Sequence, residues 1–403
     1  MKRYTVVLLP AVLAVLAAGC GGSGSGGGGS SADKGPIKIG VVVPLTGPFT
    51  PLGQGDKQGI QVAEQQVNAA GGIHGRKVQF VIKDDQTKPD QAVIAYNQLK
   101  SSGVAAIMGS SSSNSTNAIA PLAGRNKLPL ITLSPVDQLA DPVQPYVFVE
   151  PYLASLQAGR LLQYLKSEGL TKLALVYDKG DVYTTNGFNA VVKQAAGAGI
   201  SVVDKEPITA EATDFSSTLT HVKGSGADAV MAWVTGPPSV ILAKQFHASG
   251  LGSSMKMVMT ESDATQLFLG PAGAAAEGIV MSCTPANIGA ALPAGPIKDA
   301  YDKLAQGFGQ RFGGQPPSAF ASNSWTAAQI LFAALKKASD TSPEAIQKAL
   351  EGVSVFGSDG KYAFSSGRHA GAVAEDVMVV EVKHGKFVPT AFQKQQFSSL
   401  PGS

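Results

Sequence analysis

Cysteine is nearly absent from this chain of 403 residues, which contains only Cys20 and Cys283. With one of the two in the N-terminal segment, neither an internal disulfide in a mature fold nor a thiolate metal cluster is expected. Histidine is also scarce: its five copies show no His-Glu-x-x-His motif and no tight ligand spacing. We therefore expect neither a metal site nor a bound cofactor.

A strong charge bias and a long apolar run are missing as well. The formal net charge is +3, from 32 basic and 29 acidic residues, which is too balanced to predict a nucleic-acid partner. Beyond the N-terminal segment, no apolar run is long enough to cross a bilayer. The roughly 370 residues that remain suffice for two domains, each with a sizeable core.

The first 20 residues predict export. Two basic residues precede an apolar run from Val6 to Ala18, which is too short for a permanent span and is typical of a signal peptide. The run ends in Leu16-Ala17-Ala18-Gly19-Cys20, which resembles a bacterial lipobox with Cys20 as the lipidated residue, although Ala17 stands where leucine is commonest. Residues 21–35 read as a Gly/Ser-rich tether to a membrane anchor. The alternative is an ordinary secretory signal with an incidental cysteine.

Strand-like and helix-like segments alternate from residue 37 onwards, and the order β-α-β-α predicts a parallel, doubly wound sheet. The alternation starts afresh near residue 156, so the fold class is α/β with two similar lobes. The predicted strands are 37–43, 78–83, 104–108, 130–133, 172–177, 201–205, 229–234, 256–260 and 377–382. The predicted helices are 53–70, 89–100, 117–125, 156–168, 187–198, 239–249, 296–312 and 324–338.

The chain is expected to cross from one lobe to the other three times. We assign residues 36–153 plus 285–360 to lobe I and residues 154–284 plus 361–403 to lobe II, with crossings near Pro151, Pro285 and Asp359. Ligands of open parallel sheets bind beyond the carboxyl ends of the strands. Two such lobes facing each other make a cleft that can hinge shut over a small molecule.

Five short motifs occur in order at suitable spacing between residue 36 and about residue 390. They are Ile39-Gly40-Val41 with Thr46-Gly47-Pro48, Asn68 to Gly75, Asp84-Asp85 with Pro89 to Ala92, Gly109 with its following serines, and Asp178-Lys179 with Tyr183 and Gly187. In these motifs the chain resembles the leucine/isoleucine/valine-binding protein family, the type I periplasmic binding proteins.

That resemblance implies a clamshell of two Rossmann-like lobes joined by three crossovers. It also implies an extracytoplasmic protein that captures a small polar ligand, most often a branched-chain amino acid. Such a protein delivers its ligand to the permease and ATPase subunits of an ABC importer. Ligands of similar proteins also include amides, urea and aromatic acids, which stay open as alternatives.

A serine-rich turn is the first candidate for ligand binding. Between Gly109 and Thr116 a strand ends and a helix begins, and Ser, Thr and Asn there suit N-capping. Free N–H groups and the helix dipole attract an anion such as an α-carboxylate. The resemblance assigns carboxylate binding to Ser113, with Ser112 beside it. The alternative is a capped, solvated turn without a ligand.

The resemblance implies further ligand contacts after other strands. Glu261 would pair with an α-ammonium group in a charge-assisted hydrogen bond, with a surface glutamate and nearby Asp263 as the alternatives. Tyr183 would lie over the ligand, or else pack on its own lobe. Val136 and Asp137 would hold the amino-acid end through backbone groups.

Two positions depart from the resemblance. Where relatives often carry tyrosines after the central strand of the second lobe, this chain has Val234-Thr235-Gly236-Pro237-Pro238, and Leu52 stands where some have tryptophan. We include Thr235 among the ligand contacts and expect an altered, wider pocket wall, so side-chain specificity does not transfer from the family.

Two other functional classes fit the sequence less well. An enzyme is not expected, because there is no Gly-x-Ser-x-Gly motif and no evident Cys–His pair, and Cys283 reads as a small buried hydrophobe. A sensory receptor of the same fold would ordinarily continue into a transmembrane helix, whereas this chain stops at Ser403. A receptor role would therefore require a separate membrane partner.

Overall fold

The computed structural model describes residues 35–402, which form two α/β lobes. The predicted signal peptide, Cys20 and nearly all of the tether lie outside this range. The first sheet contains β1 (Ile37–Val43), β2 (Val78–Asp84), β3 (Ile107–Gly109), β4 (Leu130–Thr132) and β5 (Val147–Val149). All five strands are parallel, in the spatial order β2-β1-β3-β4-β5. The helices between them are α1 (Thr50–Ala69), α2 (Pro89–Ser101) and α3 (Ser113–Asn126).

The chain then builds most of the second lobe. Its strands here are β6 (Lys172–Asp178), β7 (Ser201–Ile208), β8 (Ala229–Trp233), β9 (Lys256–Met259) and β10 (Val280–Cys283). They alternate with α4 (Ala154–Ser167), α5 (Val182–Ala198), α6 (Ser216–Gly224), α7 (Pro237–Ala248) and α8 (Gln266–Ala272).

The last quarter of the chain completes both lobes. It returns to the first lobe through α9 (Pro296–Phe312), α10 (Ala319–Lys337), α11 (Pro343–Leu350) and the hairpin of β11 (Ser354–Gly357) and β12 (Gly360–Ala363). It ends with β13 (Met378–Lys383), β14 (Lys386–Pro389) and α12 (Ala391–Gln395). The second sheet has the order β14-β13-β10-β9-β8-β6-β7, and only β13 and β14 run antiparallel to their neighbours.

Both faces of each sheet are covered, as expected for parallel strands. Consecutive side chains of β1 point to opposite faces of the sheet, so Val41 packs on the side of α1 and α10 and Val42 on the side of α2 and α3. The second sheet likewise has one core against α4 and α5 and another against α7 and α8. Four of the helices begin at a proline, a residue whose fixed φ favours the first helical position. The two predicted doubly wound lobes are confirmed.

Three crossings join the lobes. The chain leaves the first lobe after β5 at Pro151. It returns within α9, later than the predicted crossing near Pro285, because Ile297 still packs in the second core and Leu304 packs in the first. The third crossing lies close to Val377: Tyr362 and Phe364 still pack in the first core, whereas Met378 belongs to the second. Asp359 sits in the hairpin turn instead, because β11 and β12 add a short two-stranded sheet that has no strong sequence pattern.

The structure also differs from the sequence prediction in where two helices begin. α3 begins at Ser113, four residues before the predicted start at residue 117, because the hydroxyl of Ser112 caps it. α5 begins at Val182, because the Asp181 carboxylate accepts the Thr184 N–H at 3.0 Å. Within residues 35–402, no helix is both long and apolar enough to span a bilayer.

Candidate functional site

A small cavity lies between the lobes, beyond the carboxyl ends of the strands. Its volume is about 50 Å³. Ser113 at the end of the turn after β3 lines it from the first lobe, and Thr235 after β8 and Glu261 after β9 line it from the second. This is the place where open parallel sheets bind ligands.

The two lobes are closed around the cavity. The Asn114 side chain of the first lobe donates to the Gly180 carbonyl (3.2 Å) and accepts from the Val182 N–H (3.0 Å) in the second. Gln138 and Asn186 form a reciprocal amide pair across the same gap, with bonds of 2.6 and 3.0 Å. These four hydrogen bonds hold the lobes together beside the site.

The serine turn presents backbone donors to the cavity. The Ser112 hydroxyl, only 2% exposed, faces inward and caps α3 by accepting from the Ser115 N–H at 3.5 Å. Within the described chain, no group accepts from the N–H of Ser113 or Asn114, the first two helical residues. A 14-residue helix with free N–H groups and the Ser113 hydroxyl at its start suits a carboxylate.

Two buried acids support this turn from below. Ser111 donates to Asp56, and Ser110 donates to Asp85 at 2.5 Å. Burial raises the pKa of both carboxyl groups, that of Asp56 well above its usual range. Because burial disfavours their charged forms, the two acids oppose an anion at the start of α3 less than free carboxylates would.

Glu261 lies on the opposite side of the cavity and lacks a counter-charge. Its side chain is 8% exposed, and its carboxylate accepts a hydrogen bond from Gln157 Nε2 at 3.2 Å. No lysine, arginine or histidine among residues 35–402 forms an ion pair with it. Burial, reinforced by the charge of Asp359, raises the pKa of Glu261 to about 8. A cationic group entering the cavity would restore the ionised form.

An amide connects Glu261 to further buried acids. Asn323 satisfies both ends of its amide when its nitrogen donates to Asp359 Oδ2 (3.1 Å) and to the Ala319 carbonyl (2.8 Å). In the opposite orientation the amide nitrogen of Asn323 would donate only to Glu261 Oε1, at 3.4 Å. The orientation with two shorter hydrogen bonds is therefore favoured. The Asn323 oxygen then faces Glu261, which adds a second acceptor for a cationic ligand group.

Glu150 and Asp359 make the region behind Asn323 acidic. Burial raises the pKa of Asp359 to about 6, and burial with the charge of Asp359 raises the pKa of Glu150 well above its usual range. With a pKa of about 6, Asp359 is mainly ionised at pH 7. Its negative charge favours a cation at Glu261.

Tyr183 and Gln157 are held in fixed positions. The Tyr183 ring packs edge-on against Trp233, with 5.3 Å between ring centroids. Its hydroxyl donates to Gln157 Oε1 at 2.8 Å, and the Ser282 hydroxyl donates to the same oxygen at 3.1 Å. Because these two donors occupy the oxygen of Gln157, its nitrogen must point towards Glu261.

Replacing Gly187 by alanine tests the support beneath Tyr183. A Cβ atom at Gly187 would lie 1.9 Å from the Trp233 ring, so the ring must move and Tyr183 loses its packing partner. We expect a loss of about 3 kcal/mol or more in the free energy of unfolding, measured by denaturant titration. The matched control is Gly197→Ala in the same helix, where a Cβ would meet nothing within 4 Å. Equal stability of the two variants would contradict this packing.

Four of the seven predicted ligand residues line the cavity: Ser113, Tyr183, Thr235 and Glu261. The other three are not part of the cavity wall, and their side chains have structural roles, whereas the predicted backbone contacts of Val136 and Asp137 stay a prediction. Ser112 caps α3, Val136 is fully buried in the first core, and Asp137 caps α4 by accepting from the N–H groups of Ala154 (2.9 Å) and Ser155 (3.1 Å). Whether the four lining residues contact a ligand stays a prediction.

Sequence reasoning missed several residues of the cavity wall. Gln157 and Asn323 lie on buried helix faces, and a buried amide in such a position is a usable signal. Phe49 and Phe320, both half-buried, line the cavity without any distinctive pattern in the sequence.

Two lobes closed over a cavity with a mainly apolar wall and a few polar groups define a ligand-binding protein of the clamshell type. Residues 36–386 match the family described as periplasmic binding protein, and the chain belongs to this family. The resemblance seen in the five motifs is thereby confirmed, and membership implies an extracytoplasmic, ligand-binding role in transport.

Relatives and solved structures agree with this assignment. The Leu/Ile/Val-binding protein homolog 3 of Brucella melitensis is 28% identical over 327 residues, which cover 80% of this chain and 84% of that protein. An extracellular ligand-binding receptor from Rhodopseudomonas palustris HaA2 has a TM-score of 0.80 at 20% identity, covering 89% and 100% of the two chains. A solute-binding protein of an R. palustris ABC transporter, solved with benzoate, has a TM-score of 0.75 at 21% identity, covering 88% and 95%.

Proposed function

We propose that this protein captures a zwitterionic amino acid, of the branched-chain class, for an ABC importer. The observation that carries the proposal is the buried carboxyl group of Glu261, which has no cationic partner among the described residues. Across the cavity, Ser113 and the free N–H groups of α3 offer a site for a carboxylate. An α-amino acid carries both of the complementary charges, since its ammonium and carboxylate groups are bonded to the same carbon.

The named relatives support the same ligand class. The Brucella protein is named for leucine, isoleucine and valine, and a relative from Pseudomonas aeruginosa, 26% identical over 318 residues, is named for these three with threonine and alanine. Both names describe small neutral amino acids, whose shared feature is the zwitterionic head group.

An aromatic carboxylic acid is the second candidate. Phe49, Phe320 and Tyr183 line the cavity and offer ring faces and edges to an aromatic ligand. Glu261 with its pKa of about 8 is mainly neutral at pH 7, and a neutral carboxyl group can donate to a carboxylate. The benzoate-bound structural neighbour belongs to this ligand class.

Thermal shifts against a ligand panel distinguish these candidates. The panel contains leucine, isoleucine, valine, alanine, benzoate, acetamide and urea. A ligand present at a hundred times its dissociation constant stabilises the folded state by about 2.7 kcal/mol, a shift of a few degrees for a chain of this size. A shift with leucine and none with benzoate supports the proposal, whereas the reverse favours the aromatic acid.

We also propose that the protein is anchored to the outer face of the bacterial cell membrane by a lipid on Cys20, with residues 21–35 as the tether. This rests on the lipobox-like sequence that ends at Cys20. We expect Cys20→Ala to move the protein from the membrane fraction to the soluble extracytoplasmic fraction, as measured by immunoblotting. Cys283→Ala is the control, because that thiol is buried in the second core and should not change the distribution.

A further inference from the structure

The edge of the first lobe that lies opposite the cleft brings several chain segments together. The five strands of the first sheet are parallel, so all of them start at this edge, and the helices between them end there. We call the surface formed at this edge the basal face of the first lobe. It consists of residues 35–38, 68–78, 98–105, 124–129 and 335–344.

Contacts between these segments confirm that they form one surface. A single groove is lined by residues from the start of β1, the loop before β2, the loop after α2 and the turn after α10. Arg76 Nη1 donates to Thr341 Oγ1 at 3.3 Å, which joins the loop before β2 to that turn. Lys100 Nζ donates to Asn126 Oδ1 at 2.7 Å, which joins the ends of α2 and α3. The charges of these segments therefore act together on one side of the lobe.

The basal face is strongly basic. Its segments contain eight lysine and arginine residues but two acidic residues, a net charge of +6, whereas the whole chain has a net charge of +3. The basic residues are Lys38, Arg76, Lys77, Lys100, Arg125, Lys127, Lys336 and Lys337, and the acids are Asp340 and Glu344. Arg76 is half-buried, and the other seven basic residues are exposed. The face therefore presents positive charge to the solvent.

The edge of the same lobe that faces the cleft has the opposite balance. The segments that follow its first four strands contain five acidic and two basic residues. These segments are residues 44–57, 85–90, 110–116 and 133–141. The positive charge of the first lobe is thus concentrated at the basal face, away from the ligand cavity.

Helix dipoles explain part of this contrast. The helices α2, α3 and α10 end at the basal face, and basic residues in their last turns offset the negative ends of the helices. Lys38, Arg76 and Lys77 lie outside the helices, so the dipoles do not account for them. The basic character of the face therefore exceeds what the fold requires.

The chain enters the first lobe at the basal face. Gly35 precedes β1, and its carbonyl oxygen accepts hydrogen bonds from Arg76 Nε at 3.0 Å and from Arg76 Nη2 at 2.9 Å. The chain from Cys20 to Gly35 can span at most about 54 Å, even if it is fully extended. A lipid on Cys20 would therefore keep the basal face close to the membrane and raise its effective concentration there.

Anionic lipid headgroups have the chemistry that this face recognises. A membrane surface that contains anionic lipids attracts basic residues, by about fivefold in affinity for each lysine or arginine near the surface. The attraction falls off within a Debye length, about 8 Å at physiological ionic strength. Exposed lysine side chains are long enough to place their ammonium groups within that distance. Because the family is extracytoplasmic, a membrane is a more accessible polyanion than a nucleic acid.

We propose that the basal face of the first lobe binds the anionic lipid headgroups of the membrane to which the protein is anchored. The inference goes beyond ligand capture, and the closeness of the face to the membrane rests on the proposed lipid anchor. Because the cleft lies at the opposite edge of the lobe, contact through this face leaves the ligand cavity accessible.

Co-sedimentation with lipid vesicles tests the inference. All the elements and hydrophobic cores described above lie within residues 35–402, so residues 35–403 can be tested without the N-terminal segment and its anchor. We expect binding to phosphatidylcholine vesicles with about 30% phosphatidylglycerol at about 0.1 M salt, and at least about a hundredfold weaker binding to phosphatidylcholine alone. Binding should disappear at about 0.5 M salt, where charges are screened.

Two double variants locate the binding surface. Lys100→Glu with Lys336→Glu reverses exposed charges in the last turns of α2 and α10, and should weaken binding to the anionic vesicles at least about thirtyfold. The matched control is Lys166→Glu with Lys223→Glu, which makes the same change in the last turns of α4 and α6 of the second lobe. The control should keep its affinity within about threefold.

Three outcomes would overturn the inference. Equal binding to both kinds of vesicle would show that the headgroup charge is not recognised. No binding to the anionic vesicles at 0.1 M salt would leave the basic residues as partners of the helix ends only. An equal loss of affinity in the two double variants would assign binding to the net charge of the protein and not to the basal face. None of these measurements uses a cleft ligand, so they stand apart from the proposed function.

Discussion

Glu261→Gln is expected to weaken amino-acid binding by at least about thirtyfold. Glutamine keeps the shape of the side chain and its bond to Gln157, but it removes the negative charge that the ammonium group requires. Removing one partner of a buried, hydrogen-bonded charge pair costs about 2–5 kcal/mol, and 2 kcal/mol corresponds to about thirtyfold. Isothermal titration of the unaltered protein and the variant with leucine measures the effect.

Two comparisons make this result specific. Glu211→Gln makes the same chemical change at an exposed loop position of the second lobe and should leave affinity unchanged. The ligand-free Glu261→Gln variant should be at least as stable as the unaltered protein, because a neutral amide replaces a buried carboxyl group that lacks a counter-charge. Unchanged leucine binding by Glu261→Gln would show that the ammonium group lies elsewhere.

Amino-acid affinity is expected to rise with pH, by about fiftyfold between pH 6 and pH 8. Burial raises the pKa of Glu261 to about 8, so only about 1% of the groups are ionised at pH 6 and about half at pH 8. Binding pairs the ionised form with the ligand's ammonium group, and therefore releases a proton below pH 8. Asp359, with a pKa of about 6, also ionises as the pH rises, and its charge adds to the attraction.

Proton release can be counted directly. Titrations at pH 6.5 in two buffers with different ionisation enthalpies should show close to one proton released for each leucine bound. In Glu261→Gln both the release and most of the pH dependence should disappear. An affinity for leucine that stays constant from pH 6 to pH 8 would contradict the raised pKa or the pairing. Benzoate, which has no ammonium group, should release no proton.

The architecture could be predicted from the sequence because parallel strands leave a strong pattern. Strands buried on both faces are nearly continuous apolar runs, as in Ile37–Val43, where only Lys38 is charged, and the long amphipathic helices between them repeat at regular intervals. Short elements such as β5 and β11, of three and four residues, have no such pattern. Their absence from the prediction also explains why the third crossing was expected at Asp359 and not near Val377.

The site was harder to predict, because it depends on where side chains turn after each strand. Glu261 directly follows a strand, so its position at the cavity could be anticipated, whereas Ser112 and Asp137 turn away to cap helices. Gln157 and Asn323 come from helices distant in sequence and meet Glu261 only in the folded chain. The cavity between the lobes depends on the approach of both lobes, which local sequence patterns do not encode.

The most direct test compares leucine with 4-methylpentanoate, which is the same molecule without its amino group. Both keep the carboxylate for the end of α3 and the same hydrocarbon, so calorimetric titration at pH 8 isolates the contribution of the ammonium group. If Glu261 recognises an ammonium group, leucine binds and 4-methylpentanoate binds at least about thirtyfold more weakly. If 4-methylpentanoate binds as tightly as leucine or more tightly, Glu261 acts as a neutral carboxyl group and the protein captures carboxylic acids, not amino acids.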